Sequence, residues 1–188
     1  CQFIHPQSVS GKLLSCTNEQ LRRADIQILS NAPGLPKQIV KVIEVSNDGI
    51  FKINLEKTGF YNLRFCGAGH KPFEVPFYLN TPENINVKIY LEPNKFDDKK
   101  ELKIIGDFNK FSFGKSAVKM EKNIEGNYFA EITATADTLA YQVIGLSSRN
   151  SSVNHSQADY LILDDGGDYI SVLKTKKDSK IKIVLNPN

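Results

Sequence analysis

Apolar and polar residues alternate along most of this chain with a period of two, the signature of strands with one buried face. In the first half the alternation marks seven segments: VSGKLLS (9–15), ADIQILS (24–30), KQIVKVIEVS (37–46), GIFKINL (49–55), GFYNLRFC (59–66), FEVPFYL (73–79) and NINVKIYLE (84–92). Ala-Pro-Gly at 32–34, Asn-Asp-Gly at 47–49, Gly-Ala-Gly at 67–69 and Thr-Pro-Glu-Asn at 81–84 separate them, and such residues favour reversals of the chain. Seven short strands at this spacing predict an antiparallel β-sandwich. The charged, aperiodic stretch EPNKFDDKKE (92–101) then interrupts the pattern. It resumes in ELKIIGDF (101–108), SAVKMEK (116–122), GNYFAEITA (126–134), TLAYQVIGL (138–146), DYLIL (159–163), DYISVLK (168–174) and SKIKIVLN (179–186), with a polar loop, SSRNSSVNHSQ, at 147–157. No segment carries a helical period. The prediction is an all-β chain of two tandem antiparallel β-sandwiches: a tether over 1–8, one sandwich over 9–94, a linker over 95–100 and a second sandwich over 101–188.

Composition narrows the partners more than the fold. The 188 residues suffice for two domains of about 90 to 100 residues each, and 40% hydrophobic with 24% charged residues is ordinary for a globular chain. The net charge of +3 is small, and the basic runs at Lys99-Lys100 and Lys174–Lys180 adjoin acids. No basic stripe interleaves with aromatics, so nucleic acid is not an expected partner. No apolar run approaches the ~18 residues of a spanning helix. The chain starts at Cys1. Mature bacterial lipoproteins begin on a cysteine once the signal segment is removed, and acylation of Cys1 would provide a membrane anchor. The alternative is a boundary that falls there by choice. The first reading predicts attachment to a membrane through lipid on Cys1, and a place in a bacterial cell envelope, periplasmic or at the cell surface. Cys16 and Cys66 remain, either paired in a disulfide or free; there is no C-x-x-C.

SNDGIFKINLEKTGFYNLRFCGAGHKPFEVPF, preceded by Gly11 and ADIQIL, resembles the carboxypeptidase regulatory-like, or transthyretin-like, sandwich family over about residues 8 to 94. The likeness implies that fold, with Phe51 and Ile53 facing the core and Tyr61, Leu63 and Phe65 packing on one face, and it implies no catalytic residues. LKIIGDFNKFSFGKSAVKMEKNIEGNYFAEI and TLAYQVIG are similar to early-set immunoglobulin-like domains allied to glycogen-binding modules, over roughly 101 to 186. Gly106, Phe108, Asn109, Met120, Gly126, Tyr128, Tyr141, Val143 and Gly145 carry that likeness. Such modules stack sugar rings on tryptophan, and this chain has none. A glucan would have to rely on Phe111 and Phe113 with Asn109, because a broad apolar face is what a pyranose ring packs on. The competing reading makes Phe108 core, lets Asp107 and Asn109 fix a turn, and uses Phe111 and Phe113 to close the end of the sandwich. The stretch from Asp137 to Asn188 is similar to the region preceding a thioredoxin-like domain in long envelope lipoproteins. That likeness implies a non-catalytic front part, which spaces, orients or docks a partner or a following thiol–disulfide oxidoreductase domain.

Other chemistry finds little footing. His5, His70 and His155 stand far apart with no ligand at a binding spacing, so neither a metal site nor a cofactor is expected. DDGGDY (164–169) lacks the spacing and closing Glu of a calcium loop, and reads as a turn. SFGK (112–115) matches Ser-x-x-Lys without its companion motifs. No phosphate loop, dinucleotide fingerprint or nucleophile elbow occurs. Asp137-Thr138-Leu139 resembles an acceptor for bacterial O-glycosylation, a short and commonplace match. The expected partners are the membrane and either a glycan or another envelope protein, with no catalytic residue in this chain.

Overall fold

The computed structural model describes residues 7–30, 36–55, 59–79, 84–95, 101–145 and 157–186. It is all-β, with one three-residue 3₁₀ turn and no α-helix among the described residues. The chain divides into two compact units, Cys1–Pro93 and Asn94–Asn188.

The first unit has seven strands: β1 (Gln7–Ser15), β2 (Ala24–Leu29), β3 (Ile39–Glu44), β4 (Ile50–Leu55), β5 (Gly59–Gly67), β6 (Phe73–Leu79) and β7 (Asn84–Leu91). They form a three-stranded sheet, β4-β1-β7, and a four-stranded sheet, β3-β2-β5-β6. Alternation sends Val9, Leu13, Phe51, Ile53 and Ile89 inward from one sheet and Ile26, Ile28, Leu63 and Phe65 from the other. Between the layers the Phe51 and Phe65 rings lie 5.6 Å apart, tilted by 55°. Burying a side chain of that size stabilises by roughly 1.5–3 kcal/mol relative to solvent exposure. Gly49 makes the β3–β4 reversal possible. Its φ of +82° suits glycine, and a Cβ there would lie 2.3 Å from the Leu13 carbonyl oxygen.

One pairing departs from the antiparallel expectation: β1 and β7 run parallel, from Ser8↔Asn84 to Ser15↔Leu91. The reason is directional. Each strand in this unit reverses the one before it, so the first and seventh point the same way, and packing brings them side by side. Strand β1 also begins at Gln7, two residues ahead of the expected start.

The second unit has β8 (Lys103–Gly106), β9 (Val118–Lys119), β10 (Glu121–Lys122), β11 (Tyr128–Thr133), β12 (Thr138–Ile144), β13 (Tyr160–Leu163), β14 (Tyr169–Lys174) and β15 (Lys180–Leu185). Its sheets are β13-β14-β12-β8-β9 and β10-β11-β15. The expected strand at 116–122 is divided. Val118 and Lys119 pair with β8, while Glu121 and Lys122 pair with β11. The chain changes sheets at Met120, which is buried and donates its N–H to the Leu102 carbonyl at 2.9 Å. A strand crossing between layers is how sandwiches make corners. Ile104, Leu139, Tyr141, Val143, Ile132 and Ile183 fill this second core.

Candidate functional site

The corner at 106–113 is built by side chains folding back on their own backbone. After β8 the chain enters the 3₁₀ turn Asp107–Asn109. Asn109 Oδ1 accepts the Gly106 N–H at 2.9 Å, and its Nδ2 donates to the Ser112 and Ser116 carbonyls at 3.2 and 3.0 Å. Asp107 Oδ2 accepts the Ala140 N–H at 3.1 Å, which ties the turn to β12, while Oδ1 is buried without a hydrogen-bond partner. Lys110 and Phe111 then take positive φ values of 56° and 52°. A Cβ on Gly106 would meet the Ala140 carbonyl at 2.4 Å and the Phe108 ring at 2.8 Å. Phe108 packs against the second core, as one of the two sequence readings expects.

The three residues proposed for a glucan differ in how far they are engaged. Asn109 has its whole amide engaged in the turn. Phe111 is half-buried. Phe113 is 61% exposed and does not close the sandwich end. The polar loop at 147–157 lies outside the described residues except for Gln157. That residue receives the Tyr141 hydroxyl hydrogen bond at 2.9 Å.

A second aromatic surface emerges in the first unit, where no motif marks it. Phe60 on β5 faces Tyr78 on β6 in register. Their ring centroids are 4.4 Å apart with planes inclined by 35°, and the two residues are 64% and 58% exposed. Four register positions along the same strand pair, Arg64 Nε donates to Glu74 Oε1 at 2.8 Å, and Arg64 also donates to Gln27 Oε1 at 2.9 Å. Lys37 pairs with the other Glu74 oxygen. Burial pushes the Glu74 carboxyl upward, but hydrogen bonds from Lys37 and Arg64 outweigh it and leave the group below its usual value. The alternation that sends Leu63 and Phe65 inward also puts Phe60, Asn62 and Arg64 outward. That phase was the available signal.

Several titratable and nucleophilic groups are engaged in holding the fold. Ser15 Oγ and His70 Nε2 lie 2.8 Å apart, and His70 Nδ1 is 3.0 Å from the Ala68 carbonyl. A carbonyl only accepts, so Nδ1 carries the proton and the Ser15 hydroxyl donates to Nε2. The geometry is that of a nucleophile and base, yet Ser15 is fully buried and His70 nearly so. The pair instead ties the end of β1 to the β5–β6 turn. Cys16 is an exposed free thiol and Cys66 a buried one; the Cys66 Sγ donates to the Arg64 carbonyl at 3.7 Å. In the DDGGDY segment Asp164 Oδ1 accepts the Asp168 N–H at 2.9 Å, and Oδ2 accepts Gln142 Nε2 at 3.2 Å. No group of three metal-ligating side chains occurs among the described residues. A surface cleft of about 500 Å³ lies between the 18–23 loop and the β3–β4 turn, lined by Arg22, Arg23, Glu19, Glu44 and Asp48 among others. Hydrogen bonds from the Ser46 hydroxyl and the Ile50 N–H hold the Asp48 carboxyl below its usual value. Cys1, His5 and His155 lie outside the described residues.

No family model and no curated protein matches this chain. Among solved structures, the Streptococcal ancillary pilin aligns at 11% identity and a TM-score of 0.39, over 97% of this chain and 51% of its own. The Bacillus anthracis TIE protein aligns at 15% identity and a TM-score of 0.36, over 93% of this chain and 32% of its own. A DUF3823 family protein from Bacteroides uniformis aligns at 10% identity and a TM-score of 0.36, over 97% of this chain and 84% of its own. The chain therefore spans about half of the pilin and about a third of the TIE protein. Likenesses this distant lend it no role.

Proposed function

We propose that this chain is a non-catalytic module of a bacterial cell envelope. Two β-sandwiches, held by lipid on Cys1, space, orient or dock a partner, such as a thioredoxin-like domain further along the polypeptide. One observation carries the reading. Several groups that could do chemistry serve as fold fasteners: Ser15 and His70 across a buried turn, Asn109 within the corner, Asp164 around its own loop. What reaches solvent is surface suited to contact, above all the Phe60–Tyr78 pair.

The test is metabolic labelling of the natural precursor with a palmitate analogue. Incorporation that disappears in Cys1→Ser supports the anchor, and label retained in that variant or never incorporated defeats it. Reading the encoded frame onward for a C-x-x-C domain tests the partner. A second reading, glucan binding, draws on the exposure of Phe113. A glycan array that shows binding lost in Phe113→Ala and weakened in Phe111→Ala supports it, and no binding to any glucan removes it.

A further inference from the structure

The strand registers of the first unit sort charge by face. In the sheet β4-β1-β7, Ser10 opposes Lys52 on one side, and Lys12 opposes Lys88 on the other. Val9, Leu13, Ile53 and Ile89 occupy the core phase, so Lys12, Lys52 and Lys88 point outward, and all three are exposed. The remaining outward positions on these three strands are Ser, Asn, Leu, Ile and Tyr. No carboxylate is among them. On the opposite sheet the outward positions hold Asp25, Glu44 and Glu74 with a single cation, Arg64. One layer of the sandwich therefore presents three cations without a carboxylate, whereas the carboxylates of the other are largely paired, Asp25 with Arg23 and Glu74 with Arg64 and Lys37. Among the described residues no ion pair engages the three lysines. The Lys12 charge acts on the carboxyl of Asp48 in the β3–β4 turn.

We propose that the Lys12–Lys52–Lys88 face is the side that the first unit turns toward the anionic headgroups of the membrane to which Cys1 holds it. This rests on the anchoring proposed above, because three lysines alone retain a free protein only weakly. Each lysine brought against an anionic leaflet favours that state roughly fivefold, so three together give on the order of a hundredfold. That is too little to recruit the protein from solution. It is ample to orient a protein already tethered. Six residues precede β1, and a chain of that length reaches at most about 20 Å. The sheets of a sandwich pack about 10 Å apart, beyond the screening length of about 8 Å at physiological salt. The carboxylates of the far sheet therefore oppose the contact little.

The experiment uses the full chain as Cys16→Ser, so that Cys1 is the accessible thiol while Cys66 stays buried. Cys1 is coupled to a maleimide lipid in vesicles of phosphatidylcholine, with or without phosphatidylglycerol, and lysine acetylation is read by mass spectrometry. Lys41, exposed on β3, is the reference. With phosphatidylglycerol present, acetylation of Lys12, Lys52 and Lys88 should fall roughly tenfold relative to Lys41, and high salt should restore it. Lys52→Glu should lift the protection at Lys12 and Lys88, with a circular-dichroism spectrum showing the fold retained. Equal acetylation on both vesicles, or protection that survives high salt and Lys52→Glu, overturns the proposal. Since the tether is chemical, failed palmitate labelling in cells sinks the anchor, whereas unprotected lysines on these vesicles sink the face.

Discussion

Two aromatic regions, one in each unit, reach solvent by different routes. The corner at 106–113 carries three phenylalanines in six residues, beginning at Phe108, yet its first ring enters the core and its second is half-buried. Phe60 and Tyr78 stand eighteen positions apart and leave their rings stacked in the open. Density of aromatics along the chain is therefore a poor guide to an aromatic surface. What matters is phase: whether a residue falls on the inward or outward register of its strand, and whether the polar residues beside it are free. In the corner they are not, since Asn109 alone makes three hydrogen bonds within the loop.

That contrast is open to breaking. Phe108→Ala should destabilise the second unit most, by about 2–4 kcal/mol, as expected for a large ring removed from a core it partly enters. A shift in urea midpoint no larger than that of Phe113→Ala would show the corner to be decoration. Asn109→Ala comes next. It removes an acceptor and two donors from one turn, for a loss of about 1–3 kcal/mol, and Asn109→Asp, whose second carboxylate oxygen would face the Ser112 and Ser116 carbonyls, should lose at least as much. Gly106→Ala should cost about 1–3 kcal/mol through overpacking, because its methyl would enter the space of the Ala140 carbonyl.

A fourth prediction concerns pH. The folded pKa of Glu74 lies below the ordinary 4.5. A depressed carboxylate contributes stability that is fully present above the unfolded value and fades as pH falls through the folded one. Glu74→Gln should therefore lower the wild-type urea midpoint near neutrality and match it in strong acid; a constant difference across that range would contradict the assignment. The smallest effect belongs to the exposed pair. Phe60→Ala and Tyr78→Ala should each change stability by about 0.5–1 kcal/mol or less, as a cross-strand aromatic contact on an open face contributes. A larger loss would mean that the pair supports the fold and is not reserved for contact.

Much of this architecture is legible residue by residue. Period-two alternation locates the strands because each needs one buried face, and Asn47-Asp48-Gly49 marks a reversal, here from one sheet to the other, because glycine takes the positive φ of its third position easily. The Asp107–Asn109 turn is legible for a similar reason: short polar side chains beside a glycine bond to nearby backbone. These are local requirements, met or failed within a few residues. The division at Met120, the parallel run of β1 beside β7 and the separation of lysines from carboxylates on the two faces have another origin. Each depends on which strand lies next to which, and that choice is made by packing two hydrophobic layers together, over separations the local pattern does not span. The chain by itself therefore determined roughly where strands lie and which residues most of them hide. Only the assembled sandwich decided which exposed residues became neighbours, since adjacency across a sheet is a property of register and not of order along the chain.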